Sequence, residues 1–295
     1  MIYIDNSATT KQYPQVTETM LKYMEEYFGN PSSMYQLGLD SEKAVKHARK
    51  QVEEAMGAGN GSLVFTSGGT EADNTAIFGA ARALRRRGNK IITSAVEHPA
   101  VLECCRRLEQ DGYDVVYIGV DGKCRLDLEQ LEDAIDENTI LVSLMQVNNE
   151  AGTILPVDAV KNLMTKKNAP GWFHCDAVQS FGKLQVPESA DLISVSSHKI
   201  HGPKGAGALF VRKGVHLPAL IEGGGQEGGG RSGTENVPAI TGFGTAAELS
   251  AKDREEERQR VSAMRCALLK GLQDNLEDLR INSVEEDGTK AGQCC

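Results

Sequence analysis

The sequence predicts an α/β protein with a mostly parallel sheet sandwiched by helices. Short apolar runs alternate along the chain with stretches of helical spacing, the pattern of βαβ units. The runs are apolar nearly throughout, which suits strands buried on both faces. Most of the polar motifs fall just after these runs, and ligands on such sheets bind at the carboxyl ends of strands.

Residues 15–27 read as a helix, and 40–56 as a second with Ala44, Val45, Ala48, Val52 and Ala55 at helical spacing. A strand at 62–66 leads into a helix over 71–87, and a strand at 90–94 into a helix over 100–111. The strand at 114–118 precedes a helix over 127–135 with an aspartate at its start, a good N-cap. A strong strand at 139–146, a helix over 157–166 and a strand at 171–175 follow. Strands at 192–196 and 207–211 complete the set, the second ending in the basic turn Arg212-Lys213-Gly214. The glycine-rich stretch 223–230 is too short to link independent domains and reads as a mobile or closely packed loop over a ligand. Past Gly233 the spacing predicts a small-residue helix over 237–249. A separate charged helix over 251–276 carries Val261, Met264, Leu268, Leu269 and Leu272 on one face, and 281–284 starts a strand.

A net charge of −9 argues against a nucleic-acid or membrane surface. The cluster Arg85-Arg86-Arg87 reads as a solvated helix end near Gly88. The opening Met1-Ile2-Tyr3-Ile4-Asp5 has no basic or long apolar stretch, so no leader or membrane span is expected and the cytoplasm is the expected location. The seven cysteines are odd in number and form no CxxC pair, which favours a reduced chain over a disulfide framework. His174 beside Cys175 is not metal-ligand spacing, and both read as core-strand residues.

Lys199 lies in Ser196-Ser197-His198-Lys199-Ile200-His201-Gly202-Pro203-Lys204-Gly205, and Asp176 ends an apolar strand 23 residues earlier. A buried carboxylate is costly unless paired, and a desolvated lysine near cationic groups becomes nucleophilic. The aldehyde cofactor pyridoxal 5′-phosphate (PLP) needs both, a lysine for a Schiff base and a carboxylate for its pyridinium nitrogen. Ser67-Gly68-Gly69-Thr70 runs from strand to helix, where free N–H groups attract a phosphate; a plain capping turn explains the same residues. His98, fixed by Pro99, is placed to stack on an aromatic ring, or is structural. Asn148-Asn149-Glu150 offers an amide to a phenolic oxygen, or is turn chemistry. Gln179 lies one helical turn beyond Asp176.

With these motifs in order, together with Tyr3-Ile4-Asp5-Asn6-Ser7-Ala8-Thr9-Thr10, Gly29-Asn30-Pro31-Ser32-Ser33 and Arg231-Ser232-Gly233-Thr234-Glu235-Asn236, the chain resembles the cysteine desulfurases of the class V aminotransferase family, PLP enzymes of fold type I. The resemblance implies that Lys199 carries the cofactor, Asp176 pairs with its ring nitrogen, and Gln179 and Asn149 lie near its phenolic oxygen or the substrate. It implies that His98 stacks on the ring and serves as acid and base, and that Gly69, Thr70, Ser196 and His198 hold the phosphate. Thr234 would reach the phosphate of a partner subunit, making a homodimer, and Asn6 would lie near the active site. The implied reaction takes sulfur from L-cysteine as a persulfide, leaving alanine, and passes it to an iron–sulfur scaffold protein or another sulfur acceptor. The division this suggests is 1–14 packing with a small domain, 15–250 as a large PLP-binding domain, and 251–295 as the start of a small α/β domain that is incomplete.

The chain also departs from that family. The loop with the persulfide cysteine and the arginine that grips the substrate carboxylate have no counterpart here, and Cys294 and Cys295 lack the expected context. Tyr35 and Ser197 stand where the family usually has histidine and glycine. A C-terminally truncated, impaired desulfurase is the first expectation. A selenocysteine lyase or aminotransferase of the same class, and a non-catalytic PLP-binding remnant, are the alternatives.

Overall fold

A computed structural model describes residues 2–282. Seven strands form one sheet in the order β1-β7-β6-β5-β4-β2-β3. They are β1 (Gly61–Thr66), β2 (Lys90–Ser94), β3 (Asp114–Ile118), β4 (Thr139–Met145), β5 (Trp172–Asp176), β6 (Leu192–Ser196) and β7 (Gly207–Arg212). Only β7 runs against its neighbours, pairing antiparallel with β1 and β6. The pairs β2–β3, β2–β4, β4–β5 and β5–β6 are parallel.

The helices are α1 (Pro14–Glu25), α2 (Gln36–Met56), α3 (Gly69–Leu84), α4 (Pro99–Gln110), α5 (Leu128–Ala134), α6 (Val160–Lys166) and α7 (Val237–Asn275). Asp127 caps α5 as its residue type predicts, accepting from the Gln130 N–H. Residues 157–159 form a 3₁₀ turn ahead of α6, so the helix expected from Val157 starts as a tighter winding. Helix α3 ends at Leu84, and Arg85, Arg86 and Arg87 are exposed in the turn that follows, as expected of a solvated helix end; Arg85 also lies 5.5 Å from the Tyr113 ring centroid.

Side chains alternate across a strand, so each central strand feeds two layers. Val142 and Leu144 of β4, Phe173 and Cys175 of β5, and Ile193 and Val195 of β6 join one core with residues of α1, α2, α6 and α7. Ile77, Leu84, Val101, Leu108 and Leu141 form a second core with α3 and α4 on the opposite face. Between the hydrophobic layers, that second face carries Ser143, His174 and Ser194, all completely buried.

One expectation fails at the chain's end. The two helices expected over 237–249 and 251–276 are one continuous helix, Val237–Asn275. Residues 249–251 contain no glycine or proline to break it, so the change of composition is a change of environment only. The small residues of its first half admit neighbours. A Cβ on Gly242 would come within 2.7 Å of the Met20 side chain, and one on Gly244 within 2.7 Å of Ala48 Cα. Half of the strand expected over 281–284 lies outside the described residues, and Ile281 and Asn282 are not in a strand. Among the described residues, no helix is long and apolar enough to cross a membrane.

Candidate active site

The carboxyl ends of the central strands, the start of α3 and the N-terminal segment enclose a cavity of about 470 Å³. Its lining includes Gly69, Thr70, His98, Asn149, Asp176, Gln179, Ser196, His198 and Lys199. Nine of the ten residues singled out for the cofactor or catalysis therefore meet in one place. Each is positioned by a chain end: Asp176 closes β5, Ser196 closes β6, and His198 and Lys199 occupy the 3₁₀ turn that follows.

Gly69 and Thr70 open α3, whose first N–H groups lack helical partners and carry partial positive charge. A Cβ on Gly69 would lie 2.6 Å from Val178 Cγ2, so this close approach requires glycine. The other half of the expected cup is differently used. The Ser67 N–H donates to Glu71 Oε2 at 3.0 Å, and neither Ser67 nor Gly68 lines the cavity. Arg231 also bonds Glu71, and despite burial these bonds hold that carboxyl below the usual range.

Asp176 Oδ1 accepts from the Val178 N–H at 2.9 Å. Burial raises its pKa, while that bond, His98 and Lys199 oppose the rise. Lys199 Nζ donates to the Ser7 carbonyl and, at 3.0 Å, to that of Ala8. Burial first, and Lys183 second, push its pKa down, so the amine gives up its proton more readily than a surface lysine. Burial also depresses His198 to about 4, which makes it neutral near pH 7.

His98 Nδ1 accepts from the Ala100 N–H at 3.1 Å and so caps α4. The structural reading of this histidine holds, because Nδ1 caps the helix, and the cap leaves Nε2 unused on a residue that also lines the cavity. The adjacent asparagines divide the work. Asn148 is buried and builds the turn, accepting from Glu150 and Ala151 N–H groups and donating to the Val96 carbonyl. Asn149 lines the cavity.

Thr234 does not join the lining; it is exposed, three residues before α7. Asn6 is also outside it, although its neighbours Asp5, Ser7 and Ala8 are in. The glycine-rich loop is packed, but away from this cavity. Its Glu227 forms a bidentate pair with Arg49 at 2.8 Å and accepts from the Phe65 N–H, so the loop borders a separate hollow of about 300 Å³ against α2. Sequence reasoning missed Asp73, which lines the cavity from the second turn of α3. Its four-residue spacing from Gly69 was the available signal, since that places both on one face of the helix.

A mostly parallel sheet brings a buried carboxylate and a half-buried lysine to one cavity beside a helix start, an arrangement in keeping with a class V aminotransferase. The chain belongs to that family: the aminotransferase class-V model matches residues 2–294. Within the family it is similar to proteins named cysteine desulfurase. The enzyme IscS of Clostridium botulinum is 43% identical over 288 residues, 97% of this chain and 72% of that one. A cysteine desulfurase of Trichormus azollae is 45% identical over 285 residues, 96% and 70% of the two chains. Among solved structures, a NifS-like protein matches with a TM-score of 0.88 at 40% identity, covering 92% of this chain and 76% of that one. SspA in complex with cysteine matches with a TM-score of 0.78 at 38% identity, covering 84% and 72%.

Proposed function

We propose that the protein is a PLP-dependent cysteine desulfurase, converting L-cysteine and an acceptor thiol into L-alanine and a persulfide. The observation that carries this reading is the presence of Lys199 and Asp176 in one cavity with the N-terminus of α3. Those residues fit the cofactor. A carboxyl buried with one backbone hydrogen bond requires a cationic partner to stay ionised, and a protonated ring nitrogen is one. Thr70, Ser196, His198 and the α3 N–H groups would hold the phosphate, Asp176 the ring nitrogen and Lys199 the aldehyde carbon. When bound, PLP supplies an electron sink for the bonds at the substrate's α-carbon.

The chain's own groups do the rest. The lowered pKa of Lys199 makes its amine available as nucleophile and then as base. His98 keeps its orientation through Nδ1, and Nε2 is the atom left to hold or hand on a proton. Sulfur leaves substrate only if a thiol accepts it. Among the described residues no cysteine lines the cavity, and burial pushes Cys104 and Cys105 up to about 12, far from the thiolate. Cys294 and Cys295 lie outside the described residues. The acceptor is therefore an added thiol, a sulfur-acceptor protein such as an iron–sulfur scaffold, or a cysteine outside the described residues. A homodimer is part of this proposal, in which the exposed Thr234 would reach the cavity of a second copy.

The test is to purify the chain with PLP, record its visible spectrum, then add L-cysteine with and without dithiothreitol and measure sulfide and alanine. Equal alanine and sulfide in the presence of thiol supports the reading. Cofactor uptake with turnover of selenocysteine alone, or of amino-acid and keto-acid pairs alone, overturns it.

A further inference from the structure

Behind Asp176 lies a buried polar cluster to which the proposed chemistry gives no part. His174 sits two residues before Asp176 on β5, so both side chains leave the same face of the sheet. Its Nδ1 is 2.8 Å from Ser143 Oγ on β4, and its Nε2 is 2.9 Å from Ser194 Oγ on β6. Asp73 Oδ1 of α3 lies 3.6 Å from the same Nε2. Asp73 is only 1% exposed, its Oδ1 has no hydrogen-bond partner, and it lines the cavity with Asp176.

These contacts fix the charges. The imidazole is completely buried, and burial drives its pKa down to about 3, so it is neutral and supplies no cation. A neutral imidazole donates from one nitrogen and accepts at the other, and the two rotatable hydroxyls complete both bonds. The carboxyls divide by their neighbours. Besides burial and the Val178 bond, the groups acting on Asp176 are His98 and Lys199, and both favour its anion. Those acting on Asp73, after burial, are Asp176 and Glu97, which disfavour its anion, with only the Ser194 hydroxyl opposing. Glu97 is itself raised by burial, although the Ser94 hydroxyl and the Met145 N–H bond it. Cys104 of α4 is neutral for the same reason. Two carboxyls in one low-dielectric pocket do not both ionise, and the one without a cation keeps the proton.

We propose that Asp73 is a positioning residue that carries a proton in the resting protein, lying beside the Ser143–His174–Ser194 chain, and so leaves Asp176 as the anion available to the cofactor's ring nitrogen. The inference deepens the functional reading and rests on it for the role of Asp176. The protonation of Asp73 is argued from its burial, its unpartnered Oδ1 and the carboxyls around it, independently of that reading.

The experiment has two readouts on the full chain. Infrared difference spectra of cofactor-free wild type against Asp73→Asn at pH 7 should show one carboxylic-acid C=O band lost in the variant. Loss of a carboxylate band instead, or no loss, overturns the proposal. PLP dissociation constants then separate charge from shape: Asp73→Ala should weaken binding about tenfold, and Asp73→Asn should recover to within about threefold of wild type. An asparagine as poor as alanine overturns the proposal, because the anion would then be what is needed. If wild type takes up no PLP, the functional reading fails while the infrared result still decides the state of Asp73.

Discussion

The cavity has two unlike walls. One is made of strand ends and the start of α3, where Asp176, Ser196, Asp73 and Met145 are all buried. The other is the N-terminal segment, where Asp5 and Ala8 are exposed and Ile2 and Ile4 are each 92% exposed. The first wall is held by two hydrophobic cores. The second is held by hydrogen bonds to the turn that bears Lys199. Thr10 N–H and Oγ1 donate to the His198 carbonyl, the His201 N–H donates back to Thr10 Oγ1 at 2.7 Å, and the Tyr13 and His201 rings stack at 4.2 Å. Gln179 adds a bond to the Ser7 carbonyl at 3.0 Å. The buried carboxyls Asp73 and Asp176 sit on the first wall. Lys199, which under the proposed function would exchange its partners for the cofactor, sits where the walls meet and is bonded to the yielding one.

The largest expected effect follows from that junction. Lys199→Ala should abolish the visible band of the lysine-bound cofactor and lower alanine formation about a thousandfold or more, as removal of a nucleophile does. A retained band would place the cofactor lysine elsewhere. Next, Asp176→Ala should cost about a hundredfold in turnover, in the range of a lost electrostatic contact. Its folding stability should hold, because a buried carboxyl with one backbone bond is removed. Unchanged turnover with a normal spectrum would end its assigned role.

The rigid wall should also show in acid. His174 is neutral in the fold down to about 3, whereas an unfolded chain protonates its histidine near 6.5. As pH falls through that window the unfolded state takes up a proton that the folded state refuses, so stability falls. Urea denaturation should show wild type losing about 1–2 kcal/mol relative to His174→Gln between pH 6.5 and 5. A constant difference would mean that His174 titrates alike in both states. The yielding wall should respond differently. Thr10→Val deprives the His201 N–H and the His198 carbonyl of their partner and should cost about 1–2 kcal/mol. Its kinetic signature is a raised KM for L-cysteine; an unchanged KM would remove the segment from the substrate wall. The smallest effect belongs to Leu268, 64% exposed on the second half of α7, where substitution by alanine should change stability by less than about 0.5 kcal/mol.

Much of this was legible in the sequence, and for separable reasons. The strands at 90–94, 114–118 and 192–196 match their expected bounds, since continuous apolar runs bounded by polar turns leave little choice. Lys199, Asp176 and His98 were readable because each sits immediately past such a run, where a parallel sheet gathers its loops. What failed is as specific. The break expected near residue 250 was inferred from composition, but a helix continues through a change of composition when no residue stops it. Ser67-Gly68-Gly69-Thr70 read equally as a phosphate cup or a capping turn, and spacing could not divide them: Glu71 takes the Ser67 N–H, while Gly69 and Thr70 line the cavity. Asp73 and His174 looked like ordinary helix and core residues, because the feature that distinguishes them is each other.

By itself the sequence determined the α/β class, the order of its elements and the residue types that close each strand, because these depend on local periodicity and on the chemistry of chain ends. Only the tertiary structure decided which loops share a cavity and that the glycine-rich loop serves a different hollow. It also decided that three carboxyls and an imidazole are buried within one polar cluster. Those outcomes depend on strand order and on burial. Both arise from contacts between residues far apart in the chain, and no local pattern encodes the desolvation that sets the charge of Asp73, Asp176 and Lys199.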